Sequence, residues 1–293
     1  MKPRILLAVF GVAAVTAALA MVTAIMPQAA PPGAALAAQP ASATTVAAVT
    51  VAAVTVAGPA GEARPAYPDL NRQLRYGSHG RDVKALQRRL AALKYYPGAP
   101  NGEFGTYTLE AVWAFQEVQG LKVSGVVDAA TARALRHPHA YRARYARGGA
   151  TRVEVNLRTR VLVVYRHHAV ALISHISAGG GYVFDRGARA VTPPGHYRTT
   201  AYLGGWIRVP LGAMYDPVFF IAAAYAIHGE PTYGPGGGGV PLNPVSHGCV
   251  RIPYDVARFF HRLVKPRGTP VYIYLRHSER RLVSPSAELS RPC

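Results

Sequence analysis

Cysteine and acidic residues are both scarce in this sequence of 293 residues. The two cysteines, Cys249 and Cys293, are too few for a fold built on disulfides. Cys249 and Cys293 could pair, but because Cys293 is the last residue, where chains are commonly mobile, we expect Cys249 to be a free thiol. The 14 acidic residues are outnumbered by 33 lysines and arginines, which gives a formal net charge of +19. Such a charge favours an anionic partner: a nucleic acid, an anionic lipid or an acidic cell-wall polymer.

Charge is absent altogether between Arg4 and Glu62. Lys2 and Arg4 precede an apolar run, so residues 1–26 are predicted to be an export signal peptide or a retained membrane anchor. No cysteine lies close to this run, which excludes a lipid-modified cysteine anchor. Residues 27–68, rich in alanine, proline, threonine and valine, are expected to be a low-complexity linker. The rest of the chain is therefore expected to be exported, to the cell wall or another extracytoplasmic place, either secreted or membrane-anchored.

A compact basic helix with base-reading residues is also missing from the sequence. The positive charge is mostly arginine and is spread from Arg64 onwards. Nucleic acid is therefore the weaker interpretation of the charge, and we expect no nucleic-acid binding. A wall rich in carboxylates and phosphates fits both the charge and the predicted export.

Residues 69–137 are predicted to form a bundle of three small helices around one core. Apolar residues recur at helical spacing over residues 83–93 and again over residues 109–118. Gly120 is expected to end the second helix, and Asp128 to cap a third helix.

The motifs of this bundle resemble the peptidoglycan-binding-1 family of three-helix modules. The matching residues are Gly80-x-Asp82-Val83-x-x-Leu86-Gln87-x-x-Leu90, Asn101-Gly102-x-Phe104-Gly105, Thr108-x-x-Ala111-Val112-x-x-Phe115-Gln116 and Gly125-x-Val127-Asp128-x-x-Thr131. The resemblance implies binding to cell-wall glycopeptide. Spacing alone assigns Val83, Leu86, Val112 and Phe115 to the core of the bundle, and the sequence does not identify a binding groove.

Residues 151–275 change to short apolar segments that are typical of strands. The predicted strands are residues 153–157, 161–165, 170–176, 196–202, 219–227 and 271–275, with an amphipathic helix at residues 254–264. Many short strands and few helices predict a mainly β sandwich or barrel-like domain. Residues 138–150 would then be a basic connector, and residues 276–293 a loose polar tail. The predicted fold class is thus multidomain, a helical bundle followed by a mainly β domain.

Cys249 lies in the stretch Ser246-His247-Gly248-Cys249-Val250-Arg251, and another histidine lies upstream in Ile227-His228-Gly229. A thiol with a pKa of about 8.5 is mostly protonated at neutral pH, so a nucleophilic cysteine needs a base beside it. Strand ends at these two stretches would place His228 and Cys249 at one rim of a sheet. We predict a thiolate–imidazolium pair, in which His228 takes the thiol proton and returns it to a leaving amine.

Two further roles in this chemistry fall to the backbone. No carboxylate stands in an obvious place to orient the imidazole of His228, so the carbonyl of Gly229 is the candidate. The N–H groups of His247, Gly248 and Cys249 are candidates for stabilising a tetrahedral oxyanion, and Gly248 would let the chain approach closely.

Three other interpretations of the same residues remain open. His247 is either part of the oxyanion region or a structural hydrogen-bonding residue. Arg251 either serves the site or pairs with a nearby acid such as Asp255. His228, His247 and Cys249 are also suitable zinc ligands, although no fourth ligand occurs at ordinary spacing, so no metal or other cofactor is predicted.

The two histidine stretches resemble the signature of the L,D-transpeptidase catalytic domain of the YkuD type. Supporting pieces are Thr192-Pro193-Pro194-Gly195-x-Tyr197 and Leu211-Gly212-x-Met214-Tyr215-x-Pro217-x-Phe219-Phe220, and the resemblance covers residues 151–275. It implies that Cys249 is the nucleophile, His228 the general base and Gly229 the orienting carbonyl. It also implies that His247 and Gly248 belong to the oxyanion region, that Arg251 holds the site or a substrate carboxylate, and that Tyr215 lines the pocket. The glycine-rich loop at residues 234–239 departs from the family pattern, so the resemblance does not settle the acceptor.

In such enzymes the cysteine takes an acyl group from a tetrapeptide stem, releases D-alanine, and passes the acyl group to an amine of another stem as a 3→3 crosslink. The resemblance therefore implies an exported enzyme of peptidoglycan crosslinking and cell-wall organisation. Its expected partners are peptidoglycan stem peptides and anionic wall polymers, with a carbapenem β-lactam as inhibitor. Two alternatives remain: an L,D-carboxypeptidase that trims tetrapeptide stems, and a non-catalytic wall-binding protein.

Overall fold

The computed structural model describes residues 67–68, 70–230 and 239–275. The predicted signal or anchor at residues 1–26, nearly all of the linker and the tail at residues 276–293 lie outside these residues. The helices are α1 Arg81–Ala92, α2 Thr106–Gln119, α3 Ala129–Arg136 and α4 Tyr254–Leu263. The strands are β1 Arg152–Asn156, β2 Val161–Arg166, β3 Ala169–His175, β4 Val183–Phe184, β5 Ala188–Arg189, β6 Gly195–Arg198, β7 Ala201–Tyr202, β8 Trp206–Val209, β9 Gly212–Ile221, β10 Tyr225–Gly229, β11 Val250–Ile252 and β12 Pro270–Tyr274. No helix within the described ranges is long and apolar enough to cross a membrane.

The three helices of the N-terminal module lie where the sequence predicts them. Gly120 adopts a left-handed conformation with a φ of 66° and ends α2, as glycine does at low cost. The carboxylate of Asp128 accepts a hydrogen bond of 2.8 Å from the N–H of Thr131 and so caps α3. The predicted multidomain fold class, a helical module followed by a mainly β domain, is confirmed.

Two sheets pack face to face in the β domain. Sheet A has the strand order β3-β2-β1-β12-β6, and sheet B has the order β11-β10-β9-β7, with β8 also paired to β9. Alternate residues of both sheets and one side of α4 form the core between them. This core includes Val153, Val155, Leu162, Val164, Val218, Phe220, Ile227, Val250, Ile252, Val256 and Phe260.

The other face of sheet A is covered by the helical module. Val161 and Val163 of β2, together with Ile173 of β3, share one buried cluster with Leu86 of α1 and Phe115 of α2. In addition, the N–H of Ile173 donates a 2.8 Å hydrogen bond to the carbonyl of Lys94. The module was expected to enclose a core of its own. Instead, its core is continuous with the outer face of the sheet, so the module and the β domain form one packed body.

The basic connector is also tied to sheet A. The N–H groups of Arg144 and Tyr145 donate hydrogen bonds of 2.9 and 3.2 Å to the carboxylate of Glu154 on β1. The same carboxylate accepts a 2.9 Å hydrogen bond from Nε of Arg152, and the side chains of this ion pair are only 2% and 0% exposed. The ring of Tyr145 stacks on Tyr272 with centroids 4.2 Å apart. Glu154 therefore both holds the connector and neutralises the buried Arg152.

Replacing Glu154 with alanine should lower the free energy of unfolding by about 3–5 kcal/mol, because it leaves the guanidinium of Arg152 buried without its partner. Removal of the exposed Asp255–Arg258 pair by Arg258→Ala is the control and should cost less than about 1 kcal/mol. Urea unfolding of both variants measures the difference. Equal losses would show that Glu154 has no special structural role.

Two predicted strands are wrong. Residues 196–202 are divided between β6 of sheet A and β7 of sheet B. Residues 219–227 are not one strand but the end of β9 and the start of β10, which pair antiparallel with Ile227 opposite Val218. The turn between them contains Ala222 with a φ of 40°, and the N–H of Ala224 donates to the carbonyl of Ile221 at 2.8 Å. Because the turn is made of alanines, it carries none of the usual turn residues. The reversal places His228 at the end of a strand that lies between β9 and β11.

Candidate active site

The site is built on two neighbouring parallel strands, β10 and β11, with His228 opposite Arg251 and Ile227 opposite Val250. Ile227 and Val250 face the core between the sheets. Because side chains alternate along a strand, His228 and Arg251 lie on the opposite, outer face of sheet B. Cys249 lies on that face too, in a small buried cluster with Met214 and Ala226.

A cleft opens on this outer face. It is lined by Val209, Leu211, Ala213, Met214, His228, Ser246, His247, Cys249 and Arg251. The structure thus brings together four of the predicted site residues, His228, His247, Cys249 and Arg251. Gly229 and Gly248 are chain neighbours of these residues and contact the site through their backbone.

His228 is fixed in one tautomer. Its Nδ1 lies 2.6 Å from the carbonyl oxygen of Gly229, and because a carbonyl only accepts, Nδ1 must carry the donated proton. In the neutral ring, Nε2 is then unprotonated and can accept a proton. Burial, with a smaller contribution from the positive charge of Arg251, lowers the pKa of His228 to about 4. The imidazole is therefore a neutral acceptor at neutral pH, held by the contact that the sequence predicts for Gly229.

Cys249 is almost completely buried, at 3% exposure. The N–H of Ala226 on β10 donates to its Sγ at 3.3 Å, which would favour negative charge on the sulfur. The expectation of a free thiol is wrong for this structure, in which Cys249 is disulfide-bonded. The sequence has one other cysteine, Cys293, and it lies outside the described residues. Nucleophilic chemistry at Cys249 accordingly belongs to its reduced form.

A closed set of hydrogen bonds fixes the backbone around Cys249. Ser246 Oγ donates to the carbonyl of Cys249 at 2.6 Å and accepts from the N–H of Gly248 at 3.0 Å. Thr192 Oγ1 donates to the carbonyl of Gly248 at 2.6 Å. Ser246 and Thr192 both lie in motifs of the L,D-transpeptidase resemblance, but no role was predicted for them from the sequence. Since the Gly248 N–H is already engaged, the remaining candidates for the oxyanion are the N–H groups of His247 and Cys249.

Position 248 has a backbone conformation and surroundings that only glycine fits. Its φ of +146° is one that other residues rarely adopt, and an added Cβ would lie 2.4 Å from a ring carbon of Tyr225 and 2.8 Å from the carbonyl oxygen of Val191. A close approach of backbone to backbone of this kind needs glycine. Tyr225, expected to be a packing residue, thus packs directly against the turn that carries Cys249.

His247 packs at the edge of the cleft against the β4–β5 turn. Its ring centroid lies 4.7 Å from that of Phe184 and 5.6 Å from that of Tyr182, with edge-to-face geometry in both pairs. Partial burial, and secondly the charge of Arg251, lowers its pKa. These contacts support a role for His247 in shaping the site.

Arg251 pairs with an acid that the sequence did not suggest. Its Nη1 lies 3.7 Å from Oε2 of Glu230, a residue that is 3% exposed. The alternative pairing with Asp255 is wrong, because Asp255 faces Arg258 at 3.8 Å. Nε of Arg251 is buried and has no hydrogen-bond partner within residues 67–68, 70–230 and 239–275. One donor of the guanidinium at the cleft is thus unused by the described part of the protein.

Tyr215 is the predicted site residue whose side chain does not line the cleft. Its ring packs on Tyr254 and Trp206, with centroids 4.2 and 5.2 Å away. The two preceding residues, Ala213 and Met214, line the cleft. A contact of Tyr215 with substrate stays a prediction.

The zinc alternative finds no support in the arrangement of ligands. Among the residues that the structure describes, no group of three or more histidine, cysteine, aspartate or glutamate side chains is arranged to hold a metal ion. A structural zinc site also needs four ligands, with cysteine as a thiolate, whereas Cys249 is engaged in a disulfide here.

Comparison with known proteins matches both parts of the chain. A family model of a peptidoglycan binding domain matches residues 79–135, and that of the L,D-transpeptidase catalytic domain matches residues 150–273. A crystallised segment of an L,D-transpeptidase from Xylanimonas cellulosilytica is 32% identical with a TM-score of 0.62, and the match covers 71% of this chain and 100% of that one. No curated protein matches the chain.

More distant solved structures are similar as well. An L,D-transpeptidase from Stackebrandtia nassauensis is 18% identical with a TM-score of 0.36, over 69% of this chain and 94% of that one. One from Mycobacterium smegmatis is 18% identical with a TM-score of 0.33, over 43% of this chain and 58% of that one. Because the identity to the Xylanimonas protein extends over the whole of that chain, this protein belongs to the L,D-transpeptidase family, with a helical peptidoglycan-binding module in front of its catalytic domain.

Proposed function

We propose that this L,D-transpeptidase forms 3→3 crosslinks between peptidoglycan stem peptides through a thioester on Cys249. The observation that carries the proposal is that one cleft is lined by both Cys249 and a neutral His228, whose Nδ1–H is held by the carbonyl of Gly229. That arrangement leaves Nε2 of His228 as a proton acceptor in the cleft that contains Cys249. It is the arrangement that a cysteine acyltransferase needs.

The reaction begins with reduced Cys249. Its sulfur attacks the carbonyl carbon of the amide bond before the terminal D-alanine of a tetrapeptide stem, while Nε2 of His228 takes the thiol proton. The oxyanion is stabilised by the N–H groups of His247 and Cys249. The C–N bond then breaks, His228 returns the proton to the departing D-alanine amine, and a thioester remains. An amine of a second stem attacks the thioester, which gives the new amide and restores the thiol.

The electrostatics of the cleft favour a neutral resting state. Burial of His228 and the positive charge of Arg251 both oppose an imidazolium, so the thiolate–imidazolium pair predicted from the sequence would be costly before substrate binds. In our proposal the proton therefore moves as the sulfur attacks, and His228 acts as a general base. Gly229, which holds the ring, and Gly248, which shapes the turn, complete the proposed site.

Arg251 is proposed to bind a carboxylate of the stem peptide. Its guanidinium lines the cleft that also contains Cys249. A hydrogen bond from a guanidinium to a carboxylate is stronger than one between neutral groups. Glu230, which pairs with Nη1 of the guanidinium, would hold it in place.

The setting of this activity is proposed to be the cell wall. A net charge of +19 attracts a wall rich in carboxylates and phosphates, and a peptidoglycan-binding module would raise the local concentration of substrate. Export, by a cleaved signal or a retained anchor, follows because the stem peptides lie outside the membrane. A carbapenem, which offers a strained amide to the same sulfur, is the proposed inhibitor.

Incubation of the reduced protein with purified tetrapeptide muropeptides tests this function. We expect crosslinked dimers joined through a tripeptide donor, with release of D-alanine, when the products are separated and weighed by mass spectrometry. Tripeptides without dimers would identify an L,D-carboxypeptidase instead. Neither product, together with intact binding to sacculi, would identify a non-catalytic wall-binding protein.

A further inference from the structure

We infer that Glu110, on helix α2 of the peptidoglycan-binding module, is a positioning residue for the chain segment that precedes the turn around Cys249. The segment runs from residue 239 to residue 245 and leads directly into Ser246. The N–H of Val240 donates a hydrogen bond to Oε1 of Glu110, although the two residues are 130 positions apart in the chain. The inference rests on the proposed function of Cys249 and adds a part of the protein that neither family motif assigns to the site.

The contact between α2 and this segment is close. Gly239 has a φ of +71°, and a Cβ added there would lie 2.3 Å from Cγ2 of Thr106 and 2.8 Å from Oε1 of Glu110. The first turns of α2 therefore meet the backbone of the segment directly, with no room for a side chain between them.

A second anchor, from the end of β3 in the β domain, follows at the next residue. Nε2 of His175 lies 3.1 Å from the carbonyl oxygen of Pro241 and must donate to it. The ring of His175 packs edge-to-face on Trp113 of α2, with centroids 5.3 Å apart. Burial lowers the pKa of His175 to about 4, so the ring is neutral. Two successive residues of the segment are thus held, Val240 by α2 and Pro241 by a residue of β3 that packs on α2.

The anchors continue to the catalytic turn. Ser177 Oγ donates to the carbonyl of Asn243 at 3.0 Å and accepts from the N–H of Val245 at 3.1 Å. The N–H of Ser246 then donates to the carbonyl of Ala178 at 2.9 Å. The bond from Glu110 is therefore the first of a series of anchors that ends at the turn around Cys249.

Glu110 is a costly residue at its position if it serves packing alone. It is 1% exposed, and an unpaired carboxyl in a core costs free energy that an apolar side chain would not. Burial, with the negative charges of Glu230 and Asp255 in support, raises its pKa to about 8, so it is largely a neutral acid at neutral pH. Oε2 has no hydrogen-bond partner among the described residues. The bond from Val240 is thus the polar contact that the buried carboxyl makes toward the site.

A shift of this first anchor would move the segment and, with it, the turn that aims Cys249 at His228. Displacement of a reacting group by about 1 Å can cost a hundredfold in rate. The helical module would then do more than bind the wall: its α2 helix would help to hold the nucleophile in place.

Two variants at Glu110 test the inference. Glu110→Gln keeps the acceptor for Val240 without a charge and should be acylated by imipenem, under reducing conditions, within about twofold of the native rate constant. Glu110→Leu removes the acceptor and should lower that rate constant about ten- to a hundredfold. The matched control is Glu117→Leu on the same helix. It removes the ion pair between Glu117 and Arg160, which also joins the module to the β domain. This ion pair does not contact the segment at residues 239–245. The Glu117→Leu variant should acylate at the native rate.

Hydrogen–deuterium exchange of residues 239–249 gives a second readout that does not depend on activity. Exchange in this segment should rise in Glu110→Leu but not in Glu117→Leu, while the amides of α2 stay protected. Native acylation and exchange in Glu110→Leu, or equal losses in both leucine variants, would overturn the inference. If the unmodified protein is not acylated at all, the proposed function fails, and the exchange data alone decide whether Glu110 positions the segment.

Discussion

Replacement of Cys249 by serine is expected to lower acylation by a carbapenem at least about a thousandfold. A serine hydroxyl has a far higher pKa than a thiol, and a neutral, buried imidazole is too weak a base to activate it. The amide of Ala226, which donates to the sulfur at 3.3 Å, stabilises a thiolate and offers no such help to a neutral hydroxyl. Intact-protein mass spectrometry after incubation with imipenem, in the presence of a reductant, measures the adduct.

The control for this experiment is Cys293→Ser, which leaves Cys249 as the only cysteine in the sequence. It should form the adduct to the same extent as the native protein. An adduct that persists in Cys249→Ser, or one that is lost only in Cys293→Ser, would remove Cys249 from its proposed role.

Replacement of His228 by glutamine is expected to lower the acylation rate constant about a hundred- to ten-thousandfold, since the general base is lost. A glutamine amide can still donate to the carbonyl of Gly229, so the local packing is largely kept. His247→Gln is the matched control and should lose less than about tenfold, because its ring packs on Phe184 and Tyr182 at the edge of the cleft. Equal losses in the two variants would show that His228 is not the base.

The pH dependence of acylation gives an independent check on His228. Its pKa in the folded protein is about 4, below the ordinary value of 6.5. The base is therefore unprotonated throughout the neutral range, and the acylation rate constant should fall only as the pH approaches 4. The lowered pKa of His228 also favours unfolding in acid. Its contribution to the free energy of unfolding is complete above pH 6.5 and is lost as the pH falls through 4. A rate that halves near pH 6.5 would indicate a base in a more polar environment.

The parts of the fold that the sequence predicts well are those with a local physical cause. Helices α1 to α3 follow from apolar spacing and from caps such as Gly120 and Asp128, which act within a few residues. The turn at Ala222–Ala224 was missed because it is stabilised by strand pairing and by a 3.3 Å hydrogen bond from Thr200 Oγ1 to the carbonyl of Ala222, which a local pattern does not indicate. The packing of the module on sheet A was missed for a different reason. Residues 161–165 are apolar on both faces, which indicates burial on both sides, but the pattern does not say what covers the second face.

In the candidate site, too, contacts between adjacent residues could be predicted from the sequence, whereas contacts between distant residues could not. The pairing of His228 with Gly229 joins adjacent residues, so the sequence could suggest it. The partner of Arg251 could not be found by proximity in sequence, because the acid that faces it is Glu230, at the end of a neighbouring strand, and not the nearer Asp255. The structure of β9 was needed to show that Met214 lines the cleft and that the side chain of Tyr215 does not. The disulfide state of Cys249 likewise has no signal in the residues around it.

The most direct test of the proposed chemistry is the mass of the peptide that contains Cys249 after brief mixing of the reduced protein with a tetrapeptide stem. We expect this peptide to gain the mass of the tripeptide acyl group while one equivalent of D-alanine is released. When an acceptor amine is added, the peptide should lose that mass again as the crosslinked dimer forms. Dimers that form while Cys249 stays unmodified, or an acyl group found on another residue, would contradict the central role of Cys249.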